Sequence, residues 1–302
     1  MKMRTRIHLA ILALSLALAA CSHPDAPRAA AGPLEILAVE GVYADIAAQI
    51  GGDAVRTVAL QHGVDADPHA YEPTTTDASE VERADVVIRN GLGYDAFVSK
   101  LLDESAGTPG RTVFDVGTLM RRASGDNPHL WYDVDADRRL GRALATEFER
   151  RAPAKRSAIA AREAVFARSL DAWSSAIGHL GRRGRGARIA TTEPVFAYVI
   201  SRAGLGDVTP RSFALAIEQG NDPAPQDIAK LDALVPSGVR ALVVNSQTVE
   251  PATTRLVARA RAGGVPVVSV TESLPDGEPF QRWVIAETRA LADAVAPRDA
   301  SR

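Results

Sequence analysis

The stretch AKRSAIAAREAVFARSLDAWSSAIGHL, Ala154 to Leu180, decides how the chain is divided. It has no strand signal, and neither glycine nor proline interrupts it between Lys155 and Ile177. Apolar residues recur as Ile159, Val165, Phe166, Leu170, Trp173, Ile177 and Leu180, at spacings near three and four, the repeat of one helix face. GRRGRG, Gly181 to Gly186, then stops the pattern. The stretch predicts a helix of about twenty-five residues, roughly 40 Å long at 1.5 Å per residue. A helix of that length suits a strut between two bodies, with its arginines on a solvated face.

Short β-rich runs alternate with amphipathic ones on both sides of it. Before it come LEILAV (Leu34 to Val39), VRTVAL (Val55 to Leu60), DVVIRNG (Asp85 to Gly91) and TVFDV (Thr112 to Val116). Helical stretches such as Tyr43 to Ile50 and Asp95 to Glu104 lie between them. After it come ARIATT (Ala187 to Thr192), a short run near Asp207 to Thr209, ALVVNS (Ala241 to Ser246) and PVVSVT (Pro266 to Thr271). Such alternation with mostly apolar strands implies parallel sheets covered on both faces. The expected fold class is α/β, with two (βα) lobes built on four-stranded, mostly parallel sheets. The N-terminal lobe is expected over 34–150, the linking helix over 151–183 and the C-terminal lobe over 184–302. TDASE (Thr76 to Glu80) reads as a helix start, with Asp77 as the cap and Glu80 three residues on.

Residues 1–21 read as a segment separate from the fold. Lys2, Arg4 and Arg6 precede the apolar run Leu9 to Ala20, which ends in Leu18-Ala19-Ala20-Cys21. That is the shape of a secretory signal, too short for a membrane span. Its end resembles a bacterial lipobox, whose cysteine becomes the lipid-modified N-terminus. Cys21 is the only cysteine, so a mature chain has neither a disulfide framework nor thiolate metal ligands. HPDAPRAAAGP (His23 to Pro33) reads as part of a flexible tether over 22–33. The expectation is an exported, lipid-anchored protein of the bacterial cell envelope. The remaining ~270 residues exceed what one hydrophobic core usually covers. A content of 46% hydrophobic and 24% charged residues is ordinary for a globular protein. Loss of Lys2, Arg4 and Arg6 takes the formal charge from −2 to −5, a poor balance for binding nucleic acid.

Only six histidines occur in 302 residues, and two of them follow a proline in what reads as a loop. They are His69 in DADPHAYEPTT (Asp65 to Thr75) and His129 in NPHLWYD (Asn127 to Asp133). His69 lies past the second strand and His129 past the fourth. In the second half Glu193 directly follows ARIATT and Glu272 directly follows PVVSVT. Open α/β sheets bind ligands at the carboxyl ends of their strands. Spacings of 60, 64 and 79 residues between the four are too wide for a local motif and suit a cleft assembled from two lobes. Two neutral imidazoles and two carboxylates carry a charge that one divalent cation neutralises. Imidazole with carboxylate suits Mn, Fe or Zn, whereas Ca²⁺ and Mg²⁺ prefer all-oxygen shells. Pro68 and Pro128 restrict the backbone ahead of each histidine and lower the entropy lost on ordering it. The plainer alternatives are solvated loop histidines, an N-cap role for Glu193 ahead of Pro194, and a surface acid at Glu272. Glu72 reads as structural, accepting the second N–H of His69. Tyr71, Trp131 and Tyr132 read as walls of the cleft.

These segments resemble the solute-binding proteins of zinc/manganese ABC transporters, the cluster 9 or A-I type. DADPHAYEPTTTDASEVERADVVIRNGLGYDAF (Asp65 to Phe97) looks like the family's DPHxYEPTPxD followed by ADLVxxNGxGxE. NPHLWYD looks like its NPHxWLDP, and TTEPVFAYVISRAGL (Thr191 to Leu205) like its third block. PVVSVTESLPDG (Pro266 to Gly277) looks like its fourth, with TES where TDS is usual. The resemblance runs from about Leu34 to Leu291. It implies two (βα) lobes joined by one long rigid helix, with a metal held between them by His69, His129, Glu193 and Glu272, and no catalysis. It further implies a monomeric lipoprotein that captures a divalent transition metal, Mn, Zn or Fe, and delivers it to an ABC permease with its ATPase.

Three features depart from the family's zinc importers. Glu272 stands where Asp is usual, Glu193 stands where histidine is common, and no His-rich loop lies between Val116 and His129. They lean towards Mn²⁺ or Fe²⁺, against the ordinary preference of N/O sites for Zn²⁺ over Mn²⁺. Competing classes are a periplasmic metal chaperone, a surface adhesin and a mononuclear metal hydrolase. The hydrolase would use Glu72 or a spare acid as base and needs an open water position. Neither H-E-x-x-H nor G-x-S-x-G is present to support it.

Overall fold

The computed structural model describes residues 32–64, 68–105 and 109–297, without the side chain of His69. The expected signal peptide, Cys21 and all but the end of the 22–33 tether lie outside the described residues.

Strands β1 (Leu34–Glu40), β2 (Val55–Gln61), β3 (Val86–Arg89) and β4 (Thr112–Asp115) form one sheet in the order β2-β1-β3-β4. Strands β5 (Arg188–Thr191), β6 (Gly206–Asp207), β7 (Ala241–Asn245) and β8 (Val267–Val270) form a second in the order β6-β5-β7-β8. Every described pairing is parallel. All of β1 except Glu35 is buried, as expected of a strand with helices on both faces. The register Leu34 to Val55 through Glu40 to Gln61 makes β1 and β2 end level. Both sheets have the same topology, and in both the strand order reverses beside the first strand. Ligands collect outside the carboxyl ends at such a reversal.

Helices α1 (Gly41–Gly51), α2 (Thr75–Arg83), α3 (Ala96–Glu104), α4 (Val116–Leu119) and α5 (Val134–Arg151) belong to the first lobe. The strut is α6 (Arg156–Arg183), 28 residues and about 42 Å long. Helices α7 (Ala197–Arg202), α8 (Arg211–Glu218), α9 (Pro225–Gly238), α10 (Pro251–Ala262) and α11 (Phe280–Ala294) complete the second lobe. Along α6, Ile159, Phe166, Leu170, Trp173, Ile177 and Leu180 are buried. Val165, expected on the same stripe, is 58% exposed, because it is one residue and about 100° round the helix from Phe166. Gly181 does not stop the helix, which runs to Arg183. A Cβ at Gly181 would stand 2.5 Å from Ala203 O, so the glycine allows α6 to approach the end of α7.

The strut is packed by α1 and α5 from one lobe and by α11 from the other. The Trp173 ring meets Phe280 edge-on at 5.8 Å, and its Nε1 donates to Thr288 Oγ1 at 3.0 Å. A single apolar cluster therefore runs from Ile36 and Ile46 through Phe166 and Trp173 to Ile189 and Phe280. The outer sheet faces carry separate clusters, around Leu37 and Val87 in the first lobe and around Ile217 and Leu242 in the second.

The cap of α2 differs from expectation. Thr74 is the N-cap: its Oγ1 accepts from Asp77 N at 3.3 Å, and Asp77 Oδ2 accepts from Thr74 N at 2.6 Å. Asp77 thus fills the third helical position of a capping box, while Glu80 pairs with Arg83.

Candidate metal centre

The carboxyl ends of both sheets open on one cleft of about 880 Å³. Ala70, Leu92, Tyr94 and Asn127 line it from the first lobe, and Pro194, Glu218 and Thr248 from the second. His69 belongs to a single 3₁₀ turn, Pro68–Ala70; its imidazole, expected as a ligand, lies outside the described residues. Gln61, at the end of β2, donates from Nε2 to Pro68 O at 3.0 Å. Asn90, just past β3, treats the other histidine loop the same way, donating from Nδ2 to Pro128 O at 2.8 Å. Its Oδ1 accepts from the buried Tyr43 hydroxyl at 2.7 Å. Asp95 in turn accepts from Asn90 N at 2.7 Å and Gly91 N at 3.0 Å. Gly91 is required here, because its φ is +80° and a Cβ would lie 2.6 Å from the Asp115 carboxylate.

His129 is fully buried. Its Nδ1 lies 2.7 Å from Asn127 Oδ1, which also accepts from His129 N at 3.0 Å. The Asn127 amide is oriented by its other end, where Nδ2 donates to Pro194 O across the cleft at 2.7 Å. An amide oxygen only accepts, so the imidazole proton sits on Nδ1 and leaves Nε2 free to ligate. Trp131 and Tyr94 meet the ring edge to face at 5.4 and 6.1 Å. Trp131 is itself buried, so it backs the histidine in a medium where charges interact more strongly than in water.

In the second lobe, Glu193 holds the N-cap position of the 3₁₀ turn Pro194–Phe196, yet its side chain makes no capping bond. Its carboxylate serves the cleft instead. Oε2 accepts from Asn245 Nδ2 at 3.0 Å, and Oε1 is buried with no hydrogen-bond partner among the described residues. Glu272 is buried too, and its Oε2 accepts from the same Asn245 amide at 3.1 Å. Gln247 Oε1 accepts from Glu272 N at 2.7 Å and Ser273 N at 2.8 Å, which sets the backbone carrying Glu272. Behind it, Glu287 on α11 accepts from Thr271 N at 2.9 Å, and burial pushes its carboxyl up to about 7. The Tyr132 hydroxyl lies between Thr271 O at 2.6 Å and Glu287 Oε2 at 2.5 Å. Tyr132 therefore joins the first lobe to the base of the Glu272 loop.

The lobes meet where His129 Nε2 and Glu272 Oε1 stand 2.7 Å apart. With one proton already on Nδ1, this contact needs a second proton between nitrogen and oxygen; a divalent cation can take its place, which is why such ligation releases protons. Burial pushes the Glu193 carboxyl up to about 7; the Asn245 hydrogen bond opposes this and the Glu272 charge adds to it. Glu218, ending α8, places Oε1 3.9 Å from His129 Nε2. Among the described residues no group of three or more His, Cys, Asp or Glu side chains is placed to hold a metal ion. The His129–Glu272 pair is the nucleus, flanked by Glu193 and Glu218. Imidazole nitrogen, carboxylate oxygens and an orphaned buried oxygen on Glu193 fit a borderline divalent cation.

Tyr71 is placed elsewhere: its hydroxyl donates to Asp77 at 2.9 Å and its ring packs on Phe97 at 5.1 Å, bracing α2 and α3. Glu72 is exposed. Sequence reading singles out none of Gln61, Asn90, Asn127, Asn245, Gln247 or Glu218. Asn127 carries a signal, since an Asn two residues ahead can accept from a backbone N–H. The others act on residues distant in the chain and leave no local pattern.

The family model described as zinc-uptake complex component A, periplasmic (ZnuA), matches residues 36–294. The manganese-binding lipoprotein MntA of Bacillus subtilis (strain 168) is 24% identical over 277 residues, 87% of either chain. The periplasmic zinc binding protein TroA of Treponema pallidum superposes with a TM-score of 0.73 at 19% identity, covering 88% of this chain and 100% of that one. The SBP FpvC of Pseudomonas aeruginosa, in complex with Mn²⁺, gives 0.71 at 22% identity, covering 87% and 98%. At these identities the two structures share the fold with this chain.

Proposed function

Because this chain belongs to the periplasmic zinc-uptake component A family, we propose that it is the extracytoplasmic solute-binding component of a metal ABC importer. It is a binding protein, not an enzyme. Its cargo is a divalent transition metal, Mn, Zn or Fe, held in the interlobe cleft by His69, His129, Glu193 and Glu272. A membrane permease with its ATPase receives the ion. The observation that carries this reading is the buried contact between His129 of one lobe and Glu272 of the other, made at the carboxyl ends of both sheets. Asn245 supports it by gathering Glu193 and Glu272 on one amide. Metal analysis of protein purified without added metal, followed by Zn/Mn competition in a metal buffer, tests the reading. Protein that takes up none of the three ions would overturn it.

The protein works as a monomer tethered to the envelope by lipid on Cys21. Cys21→Ala is expected to release soluble protein or block processing. An unacylated N-terminus at another residue would refute the anchor.

A further inference from the structure

We propose that Glu287 is a positioning residue for Glu272, held as a neutral carboxylic acid that donates to the Tyr132 hydroxyl, which donates in turn to the Thr271 carbonyl; this rests on the metal-binding reading above. The Tyr132 hydroxyl stands 2.6 Å from Thr271 O and 2.5 Å from Glu287 Oε2. It has one hydrogen to give, and a carbonyl and an ionised carboxylate both only accept. An ionised Glu287 would leave one of the two contacts as a pair of oxygens at hydrogen-bonding distance with no hydrogen between them. A proton on Glu287 Oε2 resolves both: Oε2–H donates to the Tyr132 oxygen, and the Tyr132 O–H donates to Thr271 O. The other carboxyl oxygen, Oε1, accepts from Thr271 N at 2.9 Å and from Trp283 Nε1 at 2.9 Å. The groups that bond to this carboxyl, on Tyr132, Thr271 and Trp283, are all neutral. Burial, which lifts the group to about 7, favours the same protonated form.

The chain of bonds ends on the backbone that aims Glu272. Thr271 O and Glu272 N belong to one peptide group, which is planar. Gln247 Oε1 accepts from its N–H at 2.7 Å, and Tyr132 donates to its C=O at 2.6 Å. Two bonds at opposite edges fix the plane from which the Glu272 side chain departs. Gln247 acts from the same lobe. Tyr132 acts from the other, in the turn Leu130–Tyr132 that directly follows His129. The bond that aims Glu272 therefore comes from the segment that carries His129, whose Nε2 lies 2.7 Å from Glu272 Oε1. Glu287 completes the arrangement twice over, orienting the Tyr132 hydroxyl and holding Thr271 N. The Tyr132 ring is fixed separately, against Phe196 at 4.9 Å and Trp283 at 5.2 Å. Removal of the hydroxyl alone leaves that packing in place.

The test compares wild type with Tyr132→Phe, Glu287→Gln and Glu287→Leu, each titrated with Mn²⁺ and with Zn²⁺ in metal buffers, with circular dichroism as the check on folding. All measurements are made at pH 6, where a carboxyl lifted to about 7 keeps its proton. Glutamine reproduces the neutral acid: its oxygen accepts from Thr271 N and Trp283 Nε1, and its NH₂ donates to Tyr132. Partners outside the coordination sphere are worth about 10–100-fold in metal affinity, so Tyr132→Phe and Glu287→Leu should each weaken both ions by about tenfold or more, while Glu287→Gln stays within about threefold of wild type. Infrared spectra of the metal-free proteins should show the C=O stretch of a protonated carboxylic acid in wild type that is missing from Glu287→Gln. Equal acid absorption in the two would overturn the neutral acid, as would a Glu287→Gln that loses as much affinity as Glu287→Leu. A folded Tyr132→Phe or Glu287→Leu that binds both ions like wild type would overturn the positioning role. Should Glu287→Leu fail the folding check, Tyr132→Phe carries the affinity test alone. Wild type binding neither ion would defeat the metal-binding reading and the positioning role with it, whereas the infrared difference reads the Glu287 proton without metal.

Discussion

Glu193→Gln separates the cost of burying an acid from its use. Burial lifts the Glu193 carboxyl from the usual 4.5 to about 7. The folded chain then holds this proton more tightly than the unfolded chain. Its contribution to stability is fully present below pH 4.5, is lost as pH rises towards 7, and is flat above that. At about 1.4 kcal/mol per pH unit the loss is roughly 3 kcal/mol by pH 8. Glutamine keeps the shape and does not titrate. Its Oε can still accept from Asn245 Nδ2, as Glu193 Oε2 does. Its NH₂ falls where Oε1 finds no partner among the described residues, an unsatisfied donor costing about 1–3 kcal/mol. The variant should therefore be less stable than wild type at pH 5 and as stable or more stable at pH 8. The change of about 2.5 kcal/mol between the two profiles from pH 5 to pH 8 is the diagnostic. Urea unfolding in chelator at pH 5, 6, 7 and 8 measures it, provided the slopes with denaturant agree. Parallel pH profiles would refute the reasoning. Saturating metal should reverse the order at pH 8, because free ion at a thousandfold excess over Kd adds about 4 kcal/mol to a protein that binds it, and the variant lacks one of the proposed ligands.

Asn127→Ala frees His129 Nδ1 and breaks the strap to Pro194 O; metal affinity by calorimetry should fall about 10–100-fold, and unchanged affinity would mean the tautomer is set by another group. Gly181→Val forces a Cβ against Ala203 O and should lower stability by about 1–3 kcal/mol while leaving metal affinity intact; an unchanged melting temperature would count against the close approach of α6 and α7. Arg150, with Arg151 and Thr112, holds the Glu147 carboxyl down at about 2. That contribution is present above pH 4.5 and lost as pH falls towards 2; after solvent screening it is about 1 kcal/mol. Acid unfolding of Glu147→Gln should therefore be shallower than that of wild type, and identical acid limbs would refute the pairing.

The fold was legible because its determinants are local or periodic. Apolar runs such as Leu34 to Val39 announce strands covered on both faces, and the Ile159 to Leu180 repeat announces the strut. Where the reading slipped, a competing interaction was decisive. Val165 lay one residue off the stripe, and Asp77 was claimed by Thr74 rather than acting as the cap. His129 stood out as one of two scarce histidines that follow a proline in a loop, and Glu193 and Glu272 as acids directly after apolar strands. The amides that position them were not, since an asparagine has no periodicity to betray its partner.

By itself, then, the chain's order of residues determined the elements, their parallel pairing, the division into two lobes and the strand ends where ligands could gather. These rest on contacts within a few residues or on repeats of two and 3.6. Only the tertiary structure decided that Asn127 ties His129 to Pro194, 67 residues away, and that Asn245 gathers Glu193 and Glu272 from 52 and 27 residues away. It alone brought Glu218 to His129. Those bonds join segments that closure of the two sheets around one strut makes neighbours, and a hydrogen bond between such segments leaves no mark on the residues in between.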